Sequence, residues 1–129
     1  MLTRLMLTAE MVGTAGRSTW SIAEILGASD ASNRRDHICS AMLLFDGRMV
    51  QVVEGKRLDV DRMLRRMQAD PRMKGLRVMA DTPIHSRLLT EAAGYCHQPA
   101  ETLSKVGLTD LELLTVRDVE AMLDYRQAA

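Results

Sequence analysis

One glutamine stands inside a segment of this chain that is otherwise apolar, and it is the residue most able to do chemistry. Gln51 lies between Val50 and Val52, in a stretch suited to a buried strand. A buried amide carries a donor and an acceptor that both need partners once water is removed. The position of Gln51 therefore predicts either a bound polar ligand or other protein groups that form hydrogen bonds with the amide.

The histidines and cysteines indicate neither a metal site nor a disulfide framework. His37, His85 and His97 are scattered, and Cys39 and Cys96 have no zinc-type spacing. Adjacent residues of an extended chain point in opposite directions, so Cys96 and His97 are poorly placed to share a metal with His85. We expect no metal and two reduced thiols.

The composition favours a single cytoplasmic domain with local recognition. The chain has 129 residues, with 17 lysines and arginines balanced by 17 aspartates and glutamates. Zero net charge gives no reason to expect nucleic acid or an anionic membrane as a general partner. The first residues lack the apolar segment of a signal peptide, and no run reaches membrane-spanning length. Ten methionines against four aromatic residues indicate a core with few stacking surfaces.

Turn residues and apolar periodicity predict the element order β-α-β-β-α-β-β. Asp46-Gly47 is the dipeptide that a two-residue hairpin prefers, and β-forming segments flank it. A first helix is predicted to end near Asn33, and a second carries an apolar stripe at 60, 63, 64 and 67. The other strands are predicted at Leu2–Thr8, Leu76–Ala80 and, more weakly, Arg87–Ala93. This order is that of an α+β ferredoxin-like sandwich with both helices on one face of the sheet.

The C-terminal segment has a different character. Thr115 and Asp118 have the spacing that caps a helix, and Val116, Val119, Met122 and Leu123 form one apolar stripe beyond them. We expect this final helix to cover another apolar surface.

Several motifs together make this chain resemble the BLUF family of flavin-binding blue-light sensors. The matching positions are Asn33, Arg35, Gly47, Gln51, Glu54, Gly55, the strand Leu2–Leu5, Asp70-Pro71-Arg72, and Pro83-Ile84 with Arg87. The resemblance covers roughly residues 2–94. It implies a BLUF-like domain over residues 1–97 and a C-terminal helical extension over 98–129, which packs on the free face of the sheet.

The resemblance also implies a cofactor, FAD, between the two helices. The residues matching Asn33 and Gln51 bond the flavin ring in the family, and the arginine matching Arg72 helps to hold the phosphate tail. Ser29, Arg35 and Asp70 complete the expected cofactor-binding set. The residues alone leave another reading open, in which Asn33 caps a helix and Arg72 is a solvated surface charge.

The photochemical positions of the family are changed. Family photochemistry begins with a tyrosine on strand one, where this chain has Leu7, and leucine supplies neither an oxidisable ring nor a proton. Met73 replaces a histidine, and Ala92 and Gly94 replace the tryptophan and methionine that carry the signal outward. Neither Trp20 nor Tyr95 aligns with a donor position, and Tyr95 is predicted beyond the last strand.

Three functions follow as hypotheses. The first is a regulatory module that has lost the photocycle and binds a protein partner through its sheet or terminal helix, with a homodimer possible. The second is a protein that still binds FAD without the usual photocycle and retains light or redox sensing. The third is an enzyme: ferredoxin-like acylphosphatases use an arginine and an asparagine, so Arg35, Asn33 or Arg72 are candidates for phosphate chemistry. Because the acylphosphatase loop signature is absent, we expect no enzyme.

Overall fold

The computed structural model describes residues 1–15 and 17–128, with side chains as far as 126. The chain forms five strands and four helices in this part. The strands are β1 (Leu2–Met11), β2 (Cys39–Phe45), β3 (Arg48–Lys56), β4 (Met73–Ile84) and β5 (Gly94–Tyr95). The helices are α1 (Thr19–Arg35), α2 (Arg57–Gln68), α3 (Pro99–Lys105) and α4 (Val116–Ala128). None of the helices in the described ranges is long and apolar enough to cross a membrane.

The five strands make one mixed sheet in the order β4-β1-β3-β2-β5. The β2–β5 pair is parallel, and the other neighbouring strands are antiparallel. The predicted hairpin is confirmed: Asp46 and Gly47 link β2 to β3, with φ angles of 50° and 75°. Two consecutive positive φ angles define a turn whose twist matches that of the flanking strands.

Both faces of the sheet are covered by helices. On one face, Ile25 of α1 and Val60, Met63 and Met67 of α2 pack on the apolar side chains of β1, β2 and β3. This placement confirms the predicted sandwich, with α1 and α2 on the same side. On the opposite face, Leu103 of α3 and the α4 stripe pack on a second apolar cluster. Alternation along the strands produces two such faces because successive side chains point in opposite directions.

Local capping chemistry fixes the starts of α1 and α4. Ser18 caps α1 by accepting a hydrogen bond from the Ser21 backbone N–H at 3.1 Å. The predicted cap before α4 is confirmed, since Thr115 and Asp118 exchange side-chain and backbone hydrogen bonds of 2.9 to 3.2 Å. Reciprocal bonds of this kind satisfy N–H groups that the first helical turn cannot.

The predicted fifth strand over Arg87–Ala93 is wrong, because β5 begins only at Gly94. The backbone N–H groups of Leu88 and Leu89 donate to the Glu54 carboxylate at 2.9 and 2.8 Å, instead of to a neighbouring strand. The Arg87 guanidinium donates to the carbonyls of Glu54 and His37. Tyr95, predicted beyond the last strand, consequently lies within β5. The other strands run longer than predicted, to Met11 in β1 and over all of Met73–Ile84 in β4.

Glu54 is a fully buried carboxylate at the centre of this arrangement. The Arg4 guanidinium donates to it from β1, with Nη2 at 2.7 Å from Oε2. Together with the two backbone N–H groups, Arg4 gives the carboxylate both charge compensation and hydrogen bonds. A buried charge is tolerated only when it is satisfied in this way.

Replacing Glu54 with alanine should lower the free energy of unfolding by about 3–5 kcal/mol, because the change leaves Arg4 and two backbone N–H groups without their acceptor. Glu54→Gln should cost less, since its side-chain oxygen can still accept one N–H bond. Urea unfolding followed by circular dichroism measures both. The matched control is Glu10→Gln, which removes a half-exposed partner of Arg48 and Lys74 and should cost less than about 1 kcal/mol. Equal losses for Glu54→Ala and Glu10→Gln would contradict this role for the buried carboxylate.

Candidate functional site

A cavity lies between α1 and α2 over the middle of the sheet, and it is here named the helix-side cavity. Its volume is about 140 Å³. Its walls come from α1, β2, β3, α2 and the segment that leads into β4. The lining residues are Ile25, Ala28, Ser29, Ser32, Asn33, Met42, Gln51, Met63, Arg66, Met67, Asp70, Arg72 and Met73. Five of the six residues expected to bind a cofactor therefore line one cavity.

Gln51 lies at the floor of the helix-side cavity, with its side chain only 5 % exposed. In register it faces Leu7 of β1 on one side and Met42 of β2 on the other. Within the described residues its amide makes no hydrogen bond, although both neighbours in the strand ladder are apolar. The donor and the acceptor of this amide are therefore both available to a ligand in the cavity.

Asn33 projects into the same cavity from the end of α1 and is 1 % exposed. Its Nδ2 donates to the Ala92 carbonyl at 2.7 Å and lies 3.4 Å from the Ser40 hydroxyl oxygen. Its Oδ1 is buried and has no hydrogen-bond partner among the described residues. The side chain is thus held by its donor end while its acceptor end stays unpaired.

Arg66 of α2 is a cavity residue that the sequence pattern did not reveal. Its Nη1 donates to Asp36 at 3.1 Å, whereas its Nη2 is buried without a partner in the described part of the chain. In the sequence Arg66 stands among other arginines on the polar side of α2. Only the burial of its Nη2 atom beside the cavity distinguishes it from those arginines.

Asp36 fixes the position of α2 relative to the end of α1. Its nearly buried carboxylate contacts the guanidinium groups of Arg35, Arg62 and Arg66 at 3.0 to 3.4 Å. The hydrogen bond from Arg35 is the main cause that lowers the pKa of Asp36 from 3.8 to about 2; the hydrogen bond from Arg66 and the charges of Arg35 and Arg62 add to it, while burial opposes it. The carboxylate is therefore ionised at neutral pH and holds Arg66 at the cavity edge.

Asp70 and Arg72 form a paired fork at the cavity mouth. Arg72 Nε donates to Asp70 Oδ1 at 3.0 Å, and Nη2 donates to Oδ2 at 2.7 Å. These hydrogen bonds lower the pKa of the Asp70 carboxyl and raise that of the Arg72 guanidinium. Ser29 lines the cavity beside them, from α1. A guanidinium held in this way still offers further N–H donors for an anionic group.

Arg35 lies outside the helix-side cavity. Its side chain is 65 % exposed and pairs with the nearly buried Asp36 carboxylate, and that hydrogen bond raises the pKa of the arginine. The structure therefore does not place Arg35 in the cavity that Asn33 and Arg72 line.

The four positions where the resemblance predicts a lost photochemical residue have different surroundings. Leu7 is completely buried beside Gln51, and Met73 lines the cavity wall. Ala92 contributes only its carbonyl, which accepts bonds from Asn33 and from the Ser40 hydroxyl at 2.8 Å. Gly94 pairs with Ala41, whose side chain belongs to the opposite face of the sheet.

Neither candidate aromatic donor reaches the helix-side cavity. Trp20 is 76 % exposed at the start of α1. Tyr95 pairs with Met42 across the β2–β5 ladder, so Met42 separates it from Gln51. Its ring packs edge-on against His97 at 5.1 Å, and burial raises the pKa of its phenol.

Sequence comparison identifies one family. A model of the BLUF family, described as sensors of blue light using FAD, matches residues 2–93. No protein with a curated function matches this chain significantly in sequence.

Solved structures with the same fold include BLUF proteins. BlrB, described as a BLUF protein in its dark state, superposes with a TM-score of 0.87 at 24 % identity, over 98 % of this chain and 96 % of BlrB. The photo-activated state of BlsA gives 0.85 at 18 % identity, over 100 % and 96 %. A bacterial light-regulated adenylyl cyclase gives 0.71 at 23 % identity, and the match spans 81 % of this chain but only 33 % of the cyclase.

At these low identities the superpositions establish only the fold. The match to the family model establishes that the chain is related to BLUF proteins. The model match extends over more than two thirds of the chain and includes the hairpin, both sandwich helices and every residue of the helix-side cavity. The chain therefore belongs to the BLUF family, the sensors of blue light using FAD.

Proposed function

We propose that this chain is a regulatory BLUF module that binds FAD in the helix-side cavity, lacks the tyrosine-dependent photocycle, and acts through contact with another protein. The observation that carries the proposal is the unpaired amide of Gln51, buried on the cavity floor beside Leu7. The amide indicates that a polar ligand belongs there. The leucine removes the phenol that the family uses.

The unpaired groups of the cavity match the polar edge of a flavin ring. That edge presents one N–H donor between two carbonyl acceptors, with a further ring nitrogen next to one carbonyl. The cavity offers an unpaired acceptor in Asn33 Oδ1, an unpaired donor in Arg66 Nη2, and both functions in Gln51. Such complementarity supports FAD because each buried protein group would gain the hydrogen bond that it lacks.

The size of the cavity requires some movement on binding. Its 140 Å³ is smaller than the roughly 300–1,000 Å³ of typical small-molecule pockets. Four methionines line it: Met42, Met63, Met67 and Met73. Methionine has three rotatable bonds and adapts its shape readily, so these walls can move apart at low cost.

The absence of an electron donor supports the loss of the photocycle. Bound flavin would supply the light absorption and redox chemistry, whereas the protein must supply the phenol beside the glutamine. No aromatic side chain lines the helix-side cavity in the described ranges. Leu7 fills the space beside Gln51 with a side chain that offers neither an electron nor a proton.

A chain of contacts leads from the cavity to the C-terminal helix. Asn33 holds the Ala92 carbonyl, the Glu91 carbonyl accepts from the Ser40 backbone N–H at 2.9 Å, and the Glu91 carboxylate pairs with Arg126 of α4. A change in Asn33 on ligand binding would therefore alter the segment that anchors α4. This route supports an output surface on α4, where a protein partner would detect the state of the cavity.

Replacing Gln51 with leucine should have opposite effects on binding and stability. FAD affinity should fall about tenfold, because roughly 1.4 kcal/mol of hydrogen bonding to the ligand is lost. The free energy of unfolding without ligand should rise by up to about 1 kcal/mol, because a buried residue whose amide makes no hydrogen bond to the protein is replaced with an apolar one. Fluorescence titration with FAD and urea unfolding measure the two quantities.

The matched control is Thr8→Val, which removes a buried hydroxyl that already donates to the Met49 carbonyl at 2.9 Å. This variant should lose about 1 kcal/mol of stability and keep its FAD affinity. Loss of stability without loss of FAD affinity in Gln51→Leu would show that the amide is structural. The proposal would be contradicted if the native chain bound no FAD at about 100 μM, because a resident cofactor binds with a far lower dissociation constant.

Replacing Leu7 with tyrosine should restore a light response. The FAD-loaded native protein should show no reversible red shift of its flavin absorption after blue light, whereas Leu7→Tyr should show one, because it places a phenol beside Gln51. Leu7→Phe is the control, since it adds the ring without the hydroxyl and should stay silent. A reversible red shift in the native protein would contradict the lost photocycle. Silence of Leu7→Tyr with FAD bound would contradict the assignment of that loss to Leu7.

A further inference from the structure

A second and larger cavity lies on the opposite face of the sheet, between the strands and helices α3 and α4, and it is here named the sheet–helix cavity. Its volume is about 350 Å³. The deep wall is apolar and comes from β2, β3 and α4. Its main residues are Ala41, Leu43, Val50, Val52, Val119 and Leu123. A volume above about 300 Å³ with an apolar wall is typical of small-molecule sites.

Small residues shape the edge of this cavity. Gly94 of β5 has no side chain, and a Cβ atom there would lie 2.8 Å from Arg126 Nη2 and 2.9 Å from the Ser40 carbonyl oxygen. The glycine therefore allows the Arg126 guanidinium to lie directly against the strand at the cavity edge. Ala41, its partner in the parallel ladder, leaves further space in the wall.

Arg126 is the cationic side chain of the cavity lining, and most of its hydrogen-bonding capacity is unused. Its Nη2 pairs with the Glu91 carboxylate, which is more than half exposed. Its other N–H groups make no hydrogen bond within the described residues. An exposed ion pair contributes little, so a ligand carboxylate can replace Glu91 or share the guanidinium with it.

Glu101, the acidic residue of the cavity lining, favours a ligand with a single carboxylate. Cys96 Sγ and Thr102 Oγ1 are hydrogen-bonded to each other at 3.2 Å, so they do not demand a ligand. Glu101 of α3 also lines the mouth and carries the opposite charge to Arg126. A second carboxylate would meet this like charge, which disfavours dicarboxylates.

We propose that the sheet–helix cavity binds a small amphipathic monocarboxylate, with its apolar chain against the β2–β3 wall and its carboxylate at Arg126. The site is separate from the helix-side cavity and does not rest on FAD binding. Octanoate is the probe, since it joins an unbranched apolar chain to one carboxylate.

Calorimetric titration of the full chain with octanoate, butanoate and 1-octanol tests both parts of the ligand. Affinity should rise about fourfold for each methylene between butanoate and octanoate, because each buried methylene adds a similar transfer free energy. Octanoate should bind about tenfold tighter than 1-octanol, since only the carboxylate can pair with Arg126. No octanoate binding at 1 mM, or equal binding of butanoate and octanoate, would overturn the proposal.

Two variants with opposite expected effects examine the carboxylate position. Arg126→Gln should weaken octanoate binding about tenfold and leave 1-octanol binding unchanged. Glu91→Gln frees Arg126 from its partner and should strengthen octanoate binding severalfold, although it breaks the same ion pair. If both variants changed octanoate binding equally, the ion pair would act only through the position of α4. That result would overturn the assignment of the carboxylate to Arg126.

The two cysteines provide an independent measure of occupancy. Cys96 lines the sheet–helix cavity, whereas Cys39 packs on the same face outside it. Octanoate should slow alkylation of Cys96 at least threefold and leave Cys39 unchanged. Ala41→Leu, which fills the cavity, should abolish both the binding and this protection. Equal protection of both thiols, or protection that persists in Ala41→Leu, would overturn the location of the site.

Discussion

The carboxylate of Glu54 determines where the chain runs after the fourth strand. Because the carboxylate is fully buried, it must be satisfied, and it takes Arg4 from β1 and the N–H groups of Leu88 and Leu89. That capture keeps the segment before β5 out of the sheet and brings the Ala92 carbonyl to Asn33. This constraint explains why Nδ2 of Asn33 is held in place while its Oδ1 stays unpaired. It also explains the contact between Glu91 and α4.

Local chemistry in the sequence predicts much of the fold, whereas most of the cavity residues were predicted from the resemblance to the BLUF family. The Asp46-Gly47 turn, the apolar stripe of α2 and the Thr115 cap depend on neighbouring residues, and all three are confirmed. The start of β5 depends on Glu54, 34 and 35 positions before the N–H groups that it binds, so no local pattern contains it. Arg66 was missed for a related reason. In the sequence it resembles a solvent-exposed helix arginine. Only its pairing with Asp36 in the folded chain places it beside the cavity.

In a chain whose sequence patterns agree with its fold, groups that lack their expected partners are found mainly at functional positions. Three such residues line one cavity: Gln51, whose amide makes no hydrogen bond in the described part of the chain, Asn33, whose buried Oδ1 is unpaired, and Arg66, whose buried Nη2 is unpaired. In the function proposed above, these groups would recognise a flavin, and Leu7 would leave that flavin without the phenol that the family's photocycle uses. On the other face, the absence of a side chain at Gly94 makes room for Arg126.

The side-chain amide resonances of Gln51 in ¹⁵N-labelled protein test this proposed function most directly. The Gln51→Leu spectrum identifies them by their absence. They should shift when FAD is added in the dark, because the amide gains its missing partners, and they should keep the same positions under blue light. Resonances that FAD leaves unchanged would contradict the flavin site. A reversible change under illumination would contradict the loss of the photocycle.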